Sequence, residues 1–260
     1  MTPLDTAHAA MTAFPDDDSA RLRFYARLAD DEMFLLLQAE WDGETLTPQV
    51  FDLEDGPVVL IFDLEERLAG FVGAPAPYAA LPGRVIAAQL AGQGVGLGIN
   101  LGVAPSSLLL GSDAVDWLAA TLTRSPELLE ARAQAFHAPK GLPQVLLDGL
   151  DAKLARTGGL ADFVLLAGVS YGDGRRGHML AFVGASPGAE VPLARTAGEA
   201  LTFSGVELGE MDVTFLAAGD PAVAAMARVA LRFDLEKPKL AEPSSRKAPG
   251  MDPDTPPILR

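Results

Sequence analysis

One stretch of alternating glycine and apolar residues limits the folds open to this chain. Residues 94–99 read G-V-G-L-G-I, so glycine occupies every second position. In a β-strand this period places the glycines on one face and Val95, Leu97 and Ile99 on the other. A face without side chains lets another segment pack very close to the strand. We therefore predict a buried central strand that ends in a turn at residues 100–102, since Asn and Gly tolerate turn backbone angles.

A glycine-rich stretch is also found in phosphate-binding loops. A dinucleotide fingerprint needs G-x-G-x-x-G between a strand and a helix. In the alignments that start at Gly92 and Gly94, Leu97 and Ile99 take the place of the third glycine. No Lys-Ser or Lys-Thr pair follows, which excludes the P-loop pattern. Asn100 stays open as a ligand-binding residue, although turn chemistry explains it without a ligand.

The composition excludes several kinds of chemistry and partner. The 260 residues carry a formal net charge of −15, which argues against nucleic acid and anionic membrane surfaces as partners. The absence of cysteine excludes thiolate nucleophiles, disulfides and iron–sulfur clusters. The three histidines lack metal-site spacing, so we expect no metal and no other cofactor. There is neither an apolar run of about 18 residues nor a basic leader, so we expect a cytoplasmic protein.

Hydrophobic periodicity predicts an α+β chain of two mixed units, each a small sheet packed by helices. In the first unit, residues 1–123, two Asp-Gly pairs link three apolar runs and predict an antiparallel meander. Residues 81–91 are ambiguous, because residues 83–86 suit a short strand and residues 87–90 suit a helical turn. The predicted strands cover residues 33–39, 45–53 and 58–62. A first helix is predicted for residues 2–13, and three further helices are predicted to begin at capping residues: Ser19, Asp63, and Ser112 or Asp113.

The second unit is predicted from residue 141 to residue 234. Residues 124–140 are expected to be a connector, with a helix at residues 126–135. The apolar runs that follow predict the order α-β-β-α-β-α, and Asp220-Pro221 is typical of the start of its last helix. Residues 235–260 contain six prolines, which predicts a disordered tail.

Candidate binding residues lie in three parts of the chain. Trp117, on an amphipathic helix, could form a protein-binding surface with apolar strands. Arg175 and Arg176 at a glycine-rich hairpin tip suggest an anion site in so acidic a chain, although a solvated tip explains them as well. We assign no catalytic residue. The candidates are Asp63, Gly98, Asn100, Gly102, Trp117, Arg175 and Arg176.

Two segments resemble the SseB family, whose name stands for enhanced serine sensitivity. Residues 59–68, V-L-I-F-D-L-E-E-R-L, are similar to that family's strand ending in Phe and its following helix. Residues 96–100, G-L-G-I-N, are similar to its glycine strand, although Leu101 replaces the usual proline. The second half is similar in element order alone. The resemblance implies a pair of α+β domains in a bacterial cytoplasm, without catalytic residues to transfer.

Two hypotheses about function follow. The first is a non-catalytic interaction or regulatory protein whose partner is another protein. The second is a small-ligand sensor or carboxylate-based enzyme with a pocket near residues 96–102, using Asp52, Asp63 or Asn100. A pocket that gathers Asp63, Asn100 and Arg84 would favour the second hypothesis.

Overall fold

The computed structural model describes residues 1–41, 43, 46–123, 133–205 and 211–235. We call residues 1–123 the first unit and residues 133–235 the second unit, because each is built around its own sheet. The first unit holds α1 (Pro3–Ala13), α2 (Asp18–Asp30), β1 (Glu32–Leu36), β2 (Val50–Leu53), β3 (Gly56–Phe62), α3 (Glu65–Val72), β4 (Tyr78–Pro82), α4 (Gly83–Leu90), β5 (Gly96–Ile99), β6 (Leu108–Leu110) and α5 (Ser112–Thr123). The second unit holds β7 (Ala133–His137), α6 (Gln144–Leu154), β8 (Phe163–Tyr171), β9 (Arg176–Val183), α7 (Glu190–Ser204), β10 (Met211–Leu216), α8 (Pro221–Ala227) and β11 (Leu231–Asp234). The predicted α+β class, with two mixed sheets packed by helices, is confirmed.

The first sheet has the order β4-β1-β3-β5-β6, and β2 also pairs with β3. The predicted meander is right for β2 and β3, which a turn at residues 54–55 joins. It is right only in part for β1, whose named residues pair with β3 and β4. Residues 36–38 also pair antiparallel with residues 47–49, through the bridge between Leu37 and Pro48 and hydrogen bonds from the Gln38 amide to Thr47 and from the Gln49 amide to Leu36. The other predicted turn includes Asp42, which lies outside the described residues. Strand β5 runs parallel to β3, and this pair defines the centre of the sheet.

The predicted close packing on the glycine face is found in strand β5, which begins two residues later than predicted. Gly94 has φ +69° and lies in the preceding turn, so it does not belong to the strand. A Cβ at Gly98 would lie 2.5 Å from Leu60 Cδ2, and one at Gly96 would collide with the carbonyl oxygen of Leu110. The opposite face carries Leu97 and Ile99 into the main core.

Three local predictions in the first unit need correction. The cap of α2 is Asp17, whose carboxylate accepts from the Ser19 amide, because the helix begins one residue before Ser19. Asp63 does not cap α3; Leu64 precedes that helix, and the Asp63 carboxylate binds Arg67. Residues 83–90 form helix α4, since Ile86, Ala87 and Leu90 then face the core together.

The second sheet has the order β10-β9-β8-β11, and β7 also pairs with β8. The predicted order α-β-β-α-β-α is found in α6, β8, β9, α7, β10 and α8. The helix predicted for residues 126–135 is wrong at its described end, because residues from Ala133 onward pair with β8; residues 126–132 lie outside the described residues. Strand β11 was not predicted, and the rest of the predicted tail, residues 236–260, lies outside the described residues.

The two units meet through helices α2 and α7. Phe203 of α7 is buried in the core of the first unit. Trp117 of α5 packs beside it, with a distance of 6.5 Å between ring centroids, and also lies 5.1 Å from Tyr25. The aromatic side chains therefore continue the hydrophobic core across the boundary.

Candidate functional site

A buried polar cluster lies where the parallel strands β3 and β5 end. This edge of a sheet is where open α/β folds bind ligands, because the loops after neighbouring strands diverge there. Asp63 follows β3 and Asn100 follows β5, so the sheet brings together two of the candidate residues. We call it the Arg67 cluster, and its members are Thr2, Asp5, Asp63, Arg67, Asn100 and Ser106.

Arg67 holds two carboxylates in this cluster. Its guanidinium donates to both oxygens of Asp5, at 3.0 and 2.6 Å, and to both oxygens of Asp63, at 2.8 and 3.1 Å. The hydrogen bond from Arg67 holds the pKa of Asp5 well below its usual range, against the effect of burial. Asp5 in turn raises the pKa of Arg67. Both carboxylates are therefore tied into ion pairs and poorly suited to proton transfer.

Asn100 connects the end of β5 to the same cluster. It has φ +48°, a left-handed conformation that Asn tolerates better than most residues. Its side-chain oxygen accepts from the Asp63 amide at 3.2 Å, and its side-chain nitrogen donates to Ser106 Oγ at 2.9 Å. Ser106 Oγ donates onward to Asp5 at 2.6 Å. Asn100 thus serves both the turn and the polar network.

Helix α1 closes the cluster on its outer side. Thr2 Oγ1 donates to Asp63 at 2.6 Å, while the Thr2 amide donates to Asp5 at 2.9 Å as part of a capping box. Sequence reasoning missed Asp5, because its partners are about 60 and 100 residues away. Gly98 and Gly102 shape the backbone here: Gly98 contacts Leu60 and Leu101, and Gly102 has φ +70°.

Arg84 does not join the Arg67 cluster but lies in a second one between the units. We call this the inter-unit ion cluster: Asp30 and Arg84 from the first unit, with Lys153 and Glu199 from the second. Lys153 Nζ lies 2.8 Å from both Asp30 Oδ2 and Glu199 Oε2, and Arg84 also binds both acids.

The pKa values of the two acids follow from these contacts. Burial acts to raise the pKa of Asp30 and that of Glu199. Lys153 and Arg84 together outweigh burial at both acids, so both pKa values are lowered. The two carboxylates therefore stay ionised at neutral pH.

The remaining candidates lie apart from both clusters. Arg175 pairs with Asp173 at 2.8 Å and lies over the Tyr171 ring at the β8–β9 tip, while Arg176 begins β9 and is exposed. Trp117 lies at the boundary of the units. The structure therefore does not gather the seven candidates into one site.

An apolar groove runs beside the outer edge of β4, and sequence reasoning missed it. We call it the β4 groove; its volume is about 780 Å³. Among the described residues that line it, none is charged. Its lining consists of Leu35, Trp41, Leu46, Pro48, Val59, Tyr78, Ala79, Ala80, Leu81, Val85, Ile86, Gln89, Leu90 and Gln93.

Residues 5–117 match the family model of the SseB protein N-terminal domain. The first unit is similar to the SseB N-terminal domain over residues 5–117. The resemblance seen in residues 59–68 and 96–100 is thereby confirmed. The matched region contains the described lining of the β4 groove and every member of the Arg67 cluster except Thr2. The second unit lies beyond the matched residues. No curated protein and no solved structure matches the chain.

Metal-binding groups and membrane-spanning helices are both absent from the described residues of the two units. Within the ranges given above, no group of three or more His, Asp or Glu side chains could hold a metal ion. No helix in those same ranges is long and apolar enough to cross a bilayer.

Proposed function

We propose that this protein is a non-catalytic cytoplasmic regulator that binds another protein through the β4 groove. Its partner would contribute an extended apolar segment that adds a strand to β4. The observation that carries the proposal is the edge of β4, with which no other described strand pairs, beside a groove whose described lining is apolar or uncharged. Strand addition of this kind combines backbone hydrogen bonds with side-chain pockets.

The register of β4 defines which backbone groups face the partner. The Leu37 amide donates to Pro77 and the Gly83 amide donates to Asp31. Because hydrogen-bonded pairs alternate along an antiparallel ladder, Ala79 and Leu81 bond to β1. The amides and carbonyls of Tyr78 and Ala80 consequently point away from β1. No strand in the described ranges pairs with them.

The groove supplies apolar surface next to these groups. Tyr78 and Val85 are each nearly two-fifths exposed, and Trp41 is 63% exposed. Exposed apolar residues that lie together typically mark interaction sites. The polar groups of the described lining include the Gln89 and Gln93 amides and the Tyr78 hydroxyl, all uncharged, so an apolar peptide would meet no charge from these residues.

The carboxylate-based alternative has less support. Asp63 and Asp5 are both held by Arg67, and Asp52 lies at an exposed position of β2, paired opposite Pro57. General acid–base catalysis needs a group that can exchange a proton with a substrate. The absence of cysteine and the SseB N-terminal domain agree with a cytoplasmic protein.

A photo-crosslinking experiment tests the proposal. A benzoylphenylalanine residue at Ala80 should crosslink to one protein through an extended segment, whereas the same residue at exposed Val191 of α7 should not. A synthetic copy of that segment should bind the purified protein. Val85→Asp should weaken this binding about tenfold or more, which is about 1.4 kcal/mol.

Ala80→Pro provides a sharper variant, because it removes an outward-facing amide and leaves the β1 ladder intact. This variant should also weaken binding of the peptide. Equal affinity in both variants and the parent protein would refute the proposal.

A further inference from the structure

A separate cavity lies between the two units. It has a volume of about 520 Å³ and is bordered by α1 and α2 from the first unit and α6 and α7 from the second. Cavities of about 300–1,000 Å³ at domain boundaries are typical small-molecule sites. None of the residues that line this cavity lines the β4 groove. It is therefore a second, independent candidate site.

The space exists because short side chains face one another across the boundary. Ala7 and Ala26 project from the first unit, and Gly149, Ala152 and Ala200 from the second. Phe203 adds an aromatic wall. Because these groups offer little besides apolar surface, the body of a ligand here would be apolar.

The cationic side chains of the cavity are not all equally engaged. Lys153 and Arg156 each make an ion pair shorter than 3.0 Å with an acid of the first unit. Within the described ranges, Arg23 and Arg27, one turn apart on α2, make only long ion pairs, at 3.7 Å to Asp17 and 3.6 Å to Asp31. Those separations exceed hydrogen-bond length, so both guanidinium groups keep donors for an anion.

The two acids that line the cavity oppose these cations only in part. Asp30 is neutralised by Lys153 and Arg84 in the inter-unit ion cluster. Asp148 is exposed and accepts a 2.8 Å hydrogen bond from Gln144. In a chain of net charge −15, a cavity whose described lining holds four cations and two acids is a distinct local environment.

We infer that this cavity binds a small amphipathic carboxylate. The apolar body lies between the alanine walls and Phe203, and the carboxylate accepts hydrogen bonds from Arg23 and Arg27. Because both units line the cavity, the ligand also holds them together. This site goes beyond the proposed peptide-binding function and uses none of its residues.

Calorimetric titration of the full chain with octanoate tests the inference. Octanol and octylammonium are matched probes that keep the apolar body and change the charge. We expect saturable binding of one octanoate, with affinity at least about tenfold above that of either matched probe. Equal binding of octanol, or no binding of octanoate at millimolar concentration, would overturn the inference.

Variants locate the site. The double change Arg23→Gln, Arg27→Gln should weaken octanoate binding about tenfold or more, because the ligand loses its charge-assisted hydrogen bonds. Ala152→Leu, at an exposed position of the wall, should weaken it by filling the space. Arg21→Gln, on the same helix but outside the cavity, and Val85→Asp in the β4 groove should not.

If the double variant does not fold, Ala152→Leu alone tests whether octanoate binds in this cavity. Octanoate affinity unchanged by cavity filling means that the ligand binds elsewhere, and the inference fails.

Discussion

Arg84 donates two hydrogen bonds of 3.0 Å to the carboxylate of Glu199, which lies 115 residues further along the chain. Lys153 binds the same carboxylate at 2.8 Å. Charges from both units are therefore joined in one cluster. Such a cluster fixes how the two units meet, because moving either unit would leave a buried charge without its partner.

Lys153→Met should destabilise the protein by about 3–5 kcal/mol, since removing one partner leaves buried acids poorly compensated. Denaturant unfolding at neutral pH measures the change. Lys140→Met is the matched control; Lys140 is exposed, and we expect a change within about 0.5 kcal/mol. A Lys153→Met variant as stable as the control would contradict the role of the cluster.

Acid should weaken the fold. The pKa values of Asp5, Asp30 and Glu199 are lowered in the folded state, so the unfolded chain binds protons first as the pH falls. Their stabilisation is complete above the unfolded pKa values, 3.8 for Asp and 4.5 for Glu, and is lost as the pH falls towards the lowered values. Urea unfolding at a series of pH values between 6 and 3 should give a decreasing free energy of unfolding; a constant value would disagree.

Arg67→Met should cost about 3–5 kcal/mol, because two buried carboxylates then face each other without a cation. The variant should also lose less stability on acidification than the parent, since protonating one carboxylate relieves their repulsion. Arg232→Met removes an exposed pair with Asp234 and serves as control. Parallel pH profiles for the Arg67 variant and the parent would count against this explanation.

Gly98→Ala should destabilise the first unit by about 1–3 kcal/mol, because the new methyl group would lie 2.5 Å from Leu60 Cδ2 and 2.8 Å from Leu101 Cδ1. Gly70→Ala makes the same chemical change in helix α3, where nothing lies within 4 Å. It should stabilise by about 0.5–1 kcal/mol. Thermal unfolding of the two variants should therefore shift in opposite directions.

Local patterns predicted the elements that need no distant partner. Strand β10 begins and ends where its apolar run does, and Asp220 caps α8 as expected, accepting from the Ala222 amide. Strands β4 and β11 were missed, because each is defined by pairing with a distant strand. Their own residues have no strong period.

The candidate sites depended on the same long-range pairing. Asp63 and Asn100 were rightly considered together, but nothing near Asp5 in the sequence indicates that it meets Arg67. The β4 groove and the inter-unit cavity are formed by segments far apart in the chain. No single stretch of the sequence could therefore predict either of them.

The edge of β8 is completed from both ends of the second unit, since β7 pairs with its last residues and β11 with its first. During synthesis the ribosome delivers β7 early and β11 last. The first unit ends at Thr123, but Phe203 of α7 completes its core, so its full packing forms only after α7 has been synthesised. Asp30 and Arg84 can join Glu199 in the inter-unit ion cluster only after α7 has been synthesised. The two units therefore associate late, in the order in which the chain is made.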